Sequence, residues 1–234
     1  MKKVSINGVE IYPFVSADEL LEFIDDKKAM LLAINAGKIN RATDETREII
    51  NSGIGYADGR GAQYALKKRG FPNAAIIPGC ELWLSIIEKY YRTGKSFYFI
   101  GGKQEVIEKT INKLRVDFPG INIVGYRNGY LSGNDEEVLI NDVAEKKPDF
   151  VFVAMGSPKQ EHLMYKMHKL HSAMYQGLGG SFDIYVGNLT RAPKWLRDRG
   201  LEGPYRVVTD FNKARLKRFV NDVSFMVKVF FNKI

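Results

Sequence analysis

The sequence predicts an α/β chain: a Rossmann-like parallel sheet with helices on both faces, followed by a helical, basic C-terminal appendage. Three observations carry that expectation. Short apolar runs of strand type alternate with stretches of helical period up to about residue 180. Nearly all of these runs end in a polar turn that contains glycine. The charge is lopsided: residues 191–234 hold eleven Lys/Arg against four Asp/Glu, so +7 of the chain's +8 sits there.

The elements follow in order. Residues 4–6 and 9–14 flank Asn7-Gly8, a pair suited to a two-residue hairpin turn. Ser16 and Glu19 read as a capping box that opens a helix over 16–26. Strands are expected at 29–34, 54–57, 75–77, 96–100, 122–125, 150–154 and 173–176. Helices are expected between them at 39–50, 61–68, 82–91, 104–118, 136–146 and 160–170. Gly53, Gly70, Gly94 and Pro119 stand where helices should stop. After the apolar run at 150–154, Ser157 reads as a helix-capping hydroxyl and Pro158 as the first helical residue. The organisation expected is a catalytic domain over 1–190 and an appendage over 191–234.

Composition excludes several classes. Hydrophobic content of 45% with 26% charged residues is that of a globular chain. A single cysteine, Cys80, excludes an internal disulfide and a cysteine-rich zinc site. No apolar segment reaches signal-peptide or membrane-spanning length, which is expected of a cytoplasmic protein. Because the basic excess is confined to the tail and has no interleaved aromatic stripe, nucleic acid is not an expected partner.

Ligands of parallel sheets sit outside the carboxyl ends of the strands. Those ends read Asn35-Ala36-Gly37, Asp58-Gly59, Gly101-Gly102-Lys103, 125–130, Gly156-Ser157-Pro158-Lys159-Gln160-Glu161 and 177–183. Together they point to a nucleotide or a phosphate-bearing substrate. Gly177-x-Gly179-Gly180 lacks the last glycine of a dinucleotide fingerprint, with Phe182 in its place. There is no Walker A loop and no Gly-x-Ser-x-Gly elbow. No Asp-x-Asp is present, and His162, His168 and His171 lack the spacing of a zinc helix, so neither a metal nor another cofactor is expected. Asp58 is either a helix cap or a general base at a strand end, and Asn35 is either a cap or the residue that orients a hydroxyl. In the tail, Leu216, Phe219, Val220, Val223, Met226, Val227, Phe230 and Ile234 recur at helical period among basic residues. That pattern fits a packed helix or an element lying on an anionic bilayer, and the membrane is the favoured reading.

These motifs, taken in order, resemble the WecG/TagA/CpsF family, glycosyltransferase family 26. The resemblance rests on 33–36, 56–59, 99–103, 125–130, 154–161, 177–183, 191–194, 200–202 and Tyr205-Arg206. The 154–161 motif looks most like the branch that transfers N-acetylmannosaminuronic acid. The sequence departs from the family pattern at Gly203-Pro204 and Phe211, the entry to the tail.

The resemblance implies an inverting, metal-independent transfer from a UDP-sugar to a polyprenyl-diphosphate-linked saccharide, at the inner face of the plasma membrane. Asp58 would be the base, with Asn35 and Gln160 lining the active site. Tyr130 and Asp183 would hold the uracil. Gly101, Gly102, Gly156 and Gly180 would lie near the diphosphate, with Pro158, Glu161 and Arg191 contributed by the matching motifs. Arg206, Arg215 and Arg218 would close over the donor. The partners expected are the two substrates, an anionic membrane surface and, as an alternative assembly, a second copy in a homo-oligomer. The competing reading is a non-catalytic nucleotide-sugar-binding protein at the membrane, against which the intact Asp58 counts.

Overall fold

The computed structural model describes residues 1–198, Tyr205, Val208 and 213–231. Strands β1 (Val4–Ile6) and β2 (Val9–Ile11) form the antiparallel hairpin, and Asn7 and Gly8 both take positive φ as its turn requires. Helix α1 (Ala17–Phe23) is capped by the Ser16 side chain. The Glu19 carboxylate accepts from Val15 N–H, so the expected box closes one residue early.

Strand β3 (Met30–Ile34) leads into α2 (Ala36–Arg41) and α3 (Asp44–Asn51). One helix was expected over 39–50. The chain instead turns extended at Ala42, and Thr43 caps a second helix through a capping box with Thr46. Next come β4 (Ile54–Ala57), α4 (Arg60–Lys68) and α5 (Gly79–Tyr90). The expected strand at 75–77 does not form. Ala75 N–H bonds Phe14 O and Ile77 N–H bonds Ala57 O, but no ladder follows.

The rest runs β5 (Ser96–Gly101), α6 (Gln104–Asp117), β6 (Asn122–Arg127), α7 (Asp135–Lys146), β7 (Phe150–Ala154), α8 (Lys159–Leu170), β8 (Met174–Gly177) and α9 (Ser181–Tyr185). Helices α10 (Lys194–Asp198) and α11 (Lys213–Phe230) belong to the tail. Pro158 occupies the N-cap of α8 rather than its first turn, so the expected Ser157 cap is corrected: that hydroxyl bonds Glu161 instead.

Six strands pair in parallel in the order β4-β3-β8-β7-β5-β6, confirming the Rossmann-like α/β class. Side chains alternate strictly between two cores. Leu32, Ile34, Ile100, Val151 and Val153 face one side with α2, α3, α4, α7, α8 and α11. Leu31, Tyr56, Phe97, Phe99 and Phe152 face the other with α1, α5, α6 and α9. There Trp83 of α5 meets Phe99, Phe152 and Phe182 edge-on. The helix after β5 packs on one face and the helix after β7 on the other, which opens a crevice at the carboxyl edge between these neighbouring strands.

Helix α11 is docked through Phe225 and Val229, both buried in the core it shares with α2 and α4. Phe225 lies against Gly61 in the first turn of α4, while the Lys68 ammonium at the end of α4 sits 5.0 Å from the Phe230 ring. The two helices therefore run in the same direction. Residues 213–224 precede the part docked on α4, and Asp222 among them is half-buried within electrostatic reach of Arg41 in α2.

Candidate functional site

The register pairs Ile34 with Ala57, so Asn35 and Asp58 leave the sheet side by side. Asn35 caps α2: its side-chain oxygen accepts from Lys38 N–H at 3.0 Å. Asp58 N–H donates to Ile34 O at 2.8 Å, which extends the β3–β4 pairing by one residue. The Asp58 carboxylate accepts from Gly79 N–H at 3.3 Å, in the first turn of the twelve-residue α5. Asp58 therefore faces the positive end of a helix, which favours negative charge there. Beneath it the buried Tyr56 hydroxyl accepts from Gln176 at 3.1 Å. Burial, then the Asp58 charge, push the Tyr56 pKa far above the ordinary tyrosine value.

A second polar cluster ties β3 to β7 and β8. The Lys38 ammonium pairs with Glu161 at 2.8 Å, and their side chains are only 10% and 3% exposed. Glu161 also accepts from Ser157 Oγ at 2.8 Å and from Gln160 Nε2 at 3.1 Å. Burial alone would raise the Glu161 pKa, but Lys38 and the two hydrogen bonds more than reverse this and hold it below the ordinary glutamate value. Gln160 Oε1 accepts from Gly156 N–H at 3.1 Å and Gly179 N–H at 2.9 Å, so one carboxamide joins the β7 and β8 turns. Gly177 makes room for it, since a Cβ there would stand 2.5 Å from Gln160 Nε2.

Gly156 and Gly179 have φ of 77° and 60°, and a Cβ on either, or on Gly180, would meet nothing within 4 Å. Space is open above these turns. Pro158 stands between the β7 turn and α8. At the end of β5, Gly101 approaches so closely that a Cβ would lie 2.3 Å from Ala154 O, and Gly102 N–H bonds that same oxygen at 3.2 Å.

The other expected site residues lie farther out. Tyr130 follows β6, is 69% exposed, and has its backbone N–H held by Asn128 at 2.9 Å. Asp183, in α9, accepts from Asn188 at 3.3 Å. Arg191 is bound to Glu81 in the first turn of α5, and Arg197 reaches the same carboxylate oxygen at 2.7 Å. Burial raises the Glu81 pKa, and the two arginines more than offset this to leave it lowered. The root of the tail is thus fastened to the helix that meets Asp58. Arg215 and Arg218 lie in the N-terminal part of α11, and Arg206 lies outside the described residues.

Sequence reasoning missed Lys38, Ser157 as a partner of Glu161, and the Glu81 anchor. Lys38 carried one usable signal, its place three residues after the Asn35 cap. Glu81 carried none. Among the described residues, no group of three or more His, Cys, Asp or Glu side chains is arranged to hold a metal ion. Among the same residues, no helix is long and apolar enough to cross a membrane. The carboxyl edge thus carries a carboxylate at its β3–β4 end and, at its β7–β8 end, glycine turns with open space above them, joined by the Gln160 carboxamide. A family model described as "Glycosyl transferase WecG/TagA/CpsF family" matches residues 4–234, and the chain belongs to that glycosyltransferase family.

Proposed function

We propose that the protein transfers a sugar from a UDP-sugar to a polyprenyl-diphosphate-linked saccharide with inversion, at the inner face of the plasma membrane. The sugar of this proposal is N-acetylmannosaminuronic acid, N-acetylmannosamine or a related hexose. The observation that carries this reading is Asp58: it leaves β4 beside Asn35, at the carboxyl edge of the sheet, in a chain of a glycosyltransferase family.

In the reaction, the acceptor hydroxyl gives its proton to the Asp58 carboxylate as its oxygen attacks the anomeric carbon of the donor. The bond from that carbon to the diphosphate breaks on the opposite side, and UDP leaves with the electron pair. Asn35 orients the hydroxyl. The negative charge that develops on the diphosphate is met by Arg206, Arg215 and Arg218 from the tail and by backbone N–H groups at the strand ends, without a metal. Tyr130 and Asp183 hold the uracil end.

Helix α11 supports the membrane part of the proposal. It buries Phe225 and Val229 against the body and leaves Leu216, Val220, Val223, Val227 and Phe230 exposed at alternating four- and three-residue spacing. With six Lys/Arg and one Asp from 213 to 234, that outer stripe suits an anionic lipid surface.

The test is release of UDP from a panel of UDP-sugars in the presence of a lipid-linked acceptor. Asp58→Asn should lower turnover ~10²–10⁴-fold, the range for losing a general base, with UDP affinity nearly unchanged. Activity should survive excess EDTA. Binding of UDP-sugars without any release would favour the non-catalytic reading, and near-normal turnover in Asp58→Asn would remove Asp58 from the mechanism.

A further inference from the structure

We propose that Lys38 and Glu161 are positioning residues. Their buried ion pair orients the Gln160 carboxamide between the β7 and β8 turns and so shapes the floor of the donor site, an inference that rests on the nucleotide-sugar reading above.

The chemistry of the three groups dictates the order of control. An ionised carboxylate only accepts hydrogen bonds, so Glu161 Oε1 takes the NH₂ end of Gln160 at 3.1 Å. That choice turns the carbonyl end of Gln160 toward the Gly156 and Gly179 N–H groups. A neutral side chain at 161 could present a donor as readily as an acceptor, and the carboxamide would lose its fixed sense. Lys38, at 2.8 Å, supplies the positive charge that keeps Glu161 ionised in a buried place. Glu161 Oε2 is buried with no hydrogen-bond partner among the described residues, so Oε1 carries the compensation.

Neither acidic nor amide side chain presents surface to a ligand, since Gln160 and Glu161 are each 2% exposed. The open space lies over Gly156, Gly179 and Gly180 instead. The influence of the pair on a ligand therefore passes through the shape of these two turns. It also reaches β3, because Lys38 is the residue whose backbone N–H is held by the Asn35 cap. One chain of contacts thus runs from the Asn35 strand end to the glycine turns of β7 and β8.

The test compares the wild-type chain with Lys38→Met/Glu161→Leu, which replaces the ion pair by apolar side chains, a change that buried pairs often tolerate in stability. Three quantities are measured: the melting temperature, hydrogen exchange at the Gly156 and Gly179 amides, and UDP affinity by calorimetry. The double variant should melt within a few degrees of the wild type, yet exchange both amides about tenfold faster or more. Its UDP affinity should fall about tenfold, and adding Gln160→Ala should cost less than about twofold more, because residues of one network are not additive. Should the double variant fail to fold, Glu161→Gln gives the same exchange and affinity readings.

Full protection of both amides in a folded variant would overturn the positioning role, as would losses that multiply with Gln160→Ala. If the wild-type chain binds no UDP, the nucleotide reading and the donor-site half of this inference both fall. The amide exchange then still decides whether the pair holds the turns.

Discussion

Two carboxylates stand at the same edge of the sheet, and they differ in burial. Glu161 is enclosed, paired with a lysine at 2.8 Å and bonded to Ser157 and Gln160. Asp58 is partly exposed at the end of β4, and a backbone N–H of α5 approaches it at 3.3 Å. A buried charge with a cationic partner is fixed in protonation and place, which suits architecture. The partly exposed Asp58 is the carboxylate to which the proposed reaction assigns the proton transfer. In the proposed reading the edge divides its acids: Glu161 braces the β7–β8 side, and Asp58 at the β3–β4 side takes part in the chemistry.

The largest effect that could break this contrast is on stability. Lys38→Met alone leaves Glu161 buried without its cation, and removing one member of a buried pair typically costs about 3–5 kcal/mol. Asp58→Asn, at a partly exposed position, keeps an oxygen for the Gly79 N–H and should cost less, about 1–2 kcal/mol. Denaturant unfolding of the two variants measures both. Similar losses would mean that the two acids play the same kind of role.

Much of the fold could be read from sequence, and most of the bracing could not. The parallel sheet followed from apolar runs such as 150–154, whose neighbours point to alternate cores. The break between α2 and α3 was hidden because neither Ala42 nor Thr43 is a strong helix breaker, and only the Thr43–Thr46 capping box marks the restart. The run at 75–77 looks like a strand because it is apolar, yet it binds backbone only at its two ends. Asp58 and Asn35 were visible as polar residues directly after strands. Lys38–Glu161 and Glu81–Arg191 join segments far apart in the chain, and such pairs leave no periodic trace. For the tail, the packed-helix reading describes the inner face of α11, with Phe225 and Val229 buried, and the outer apolar face is exposed.

That two-faced helix gives the next, smaller effect. Val220 and Val227 are 55% and 50% exposed, whereas Phe225 is fully buried. Val220→Ser/Val227→Ser should change stability by no more than about 0.5 kcal/mol per site, the usual range for exposed positions. Sedimentation with vesicles of anionic lipid should fall about tenfold, because less apolar area enters the interface. Phe225→Ser, on the inner face, should instead destabilise the folded chain by about 3–5 kcal/mol. Unchanged vesicle binding in the valine variant would show that the outer stripe does not meet lipid.

The smallest effect is acid sensitivity, and it can be assigned to Glu161 only as a difference. Its pKa in the folded chain lies below the ordinary glutamate value, with Lys38 among the causes. A depressed carboxyl contributes stability that is present above its unfolded pKa, near 4.3, and is lost as pH falls through the folded pKa. Asp25, Asp117, Asp135, Asp142, Asp149 and Glu81 are also depressed, so the wild-type chain should lose stability in acid for several reasons at once. Asp222 has the opposite sign, because burial raises it against the weaker pull of Arg41. All of these groups remain in Lys38→Met/Glu161→Leu. The stability of that variant should therefore fall less steeply below pH 4.3 than that of the wild type, and the two should run parallel above pH 6. Unfolding free energies measured from pH 3 to 7 give both curves. Curves parallel over the whole range would mean that Glu161 is not held ionised in the folded chain, and its contrast with Asp58 would then rest on burial alone.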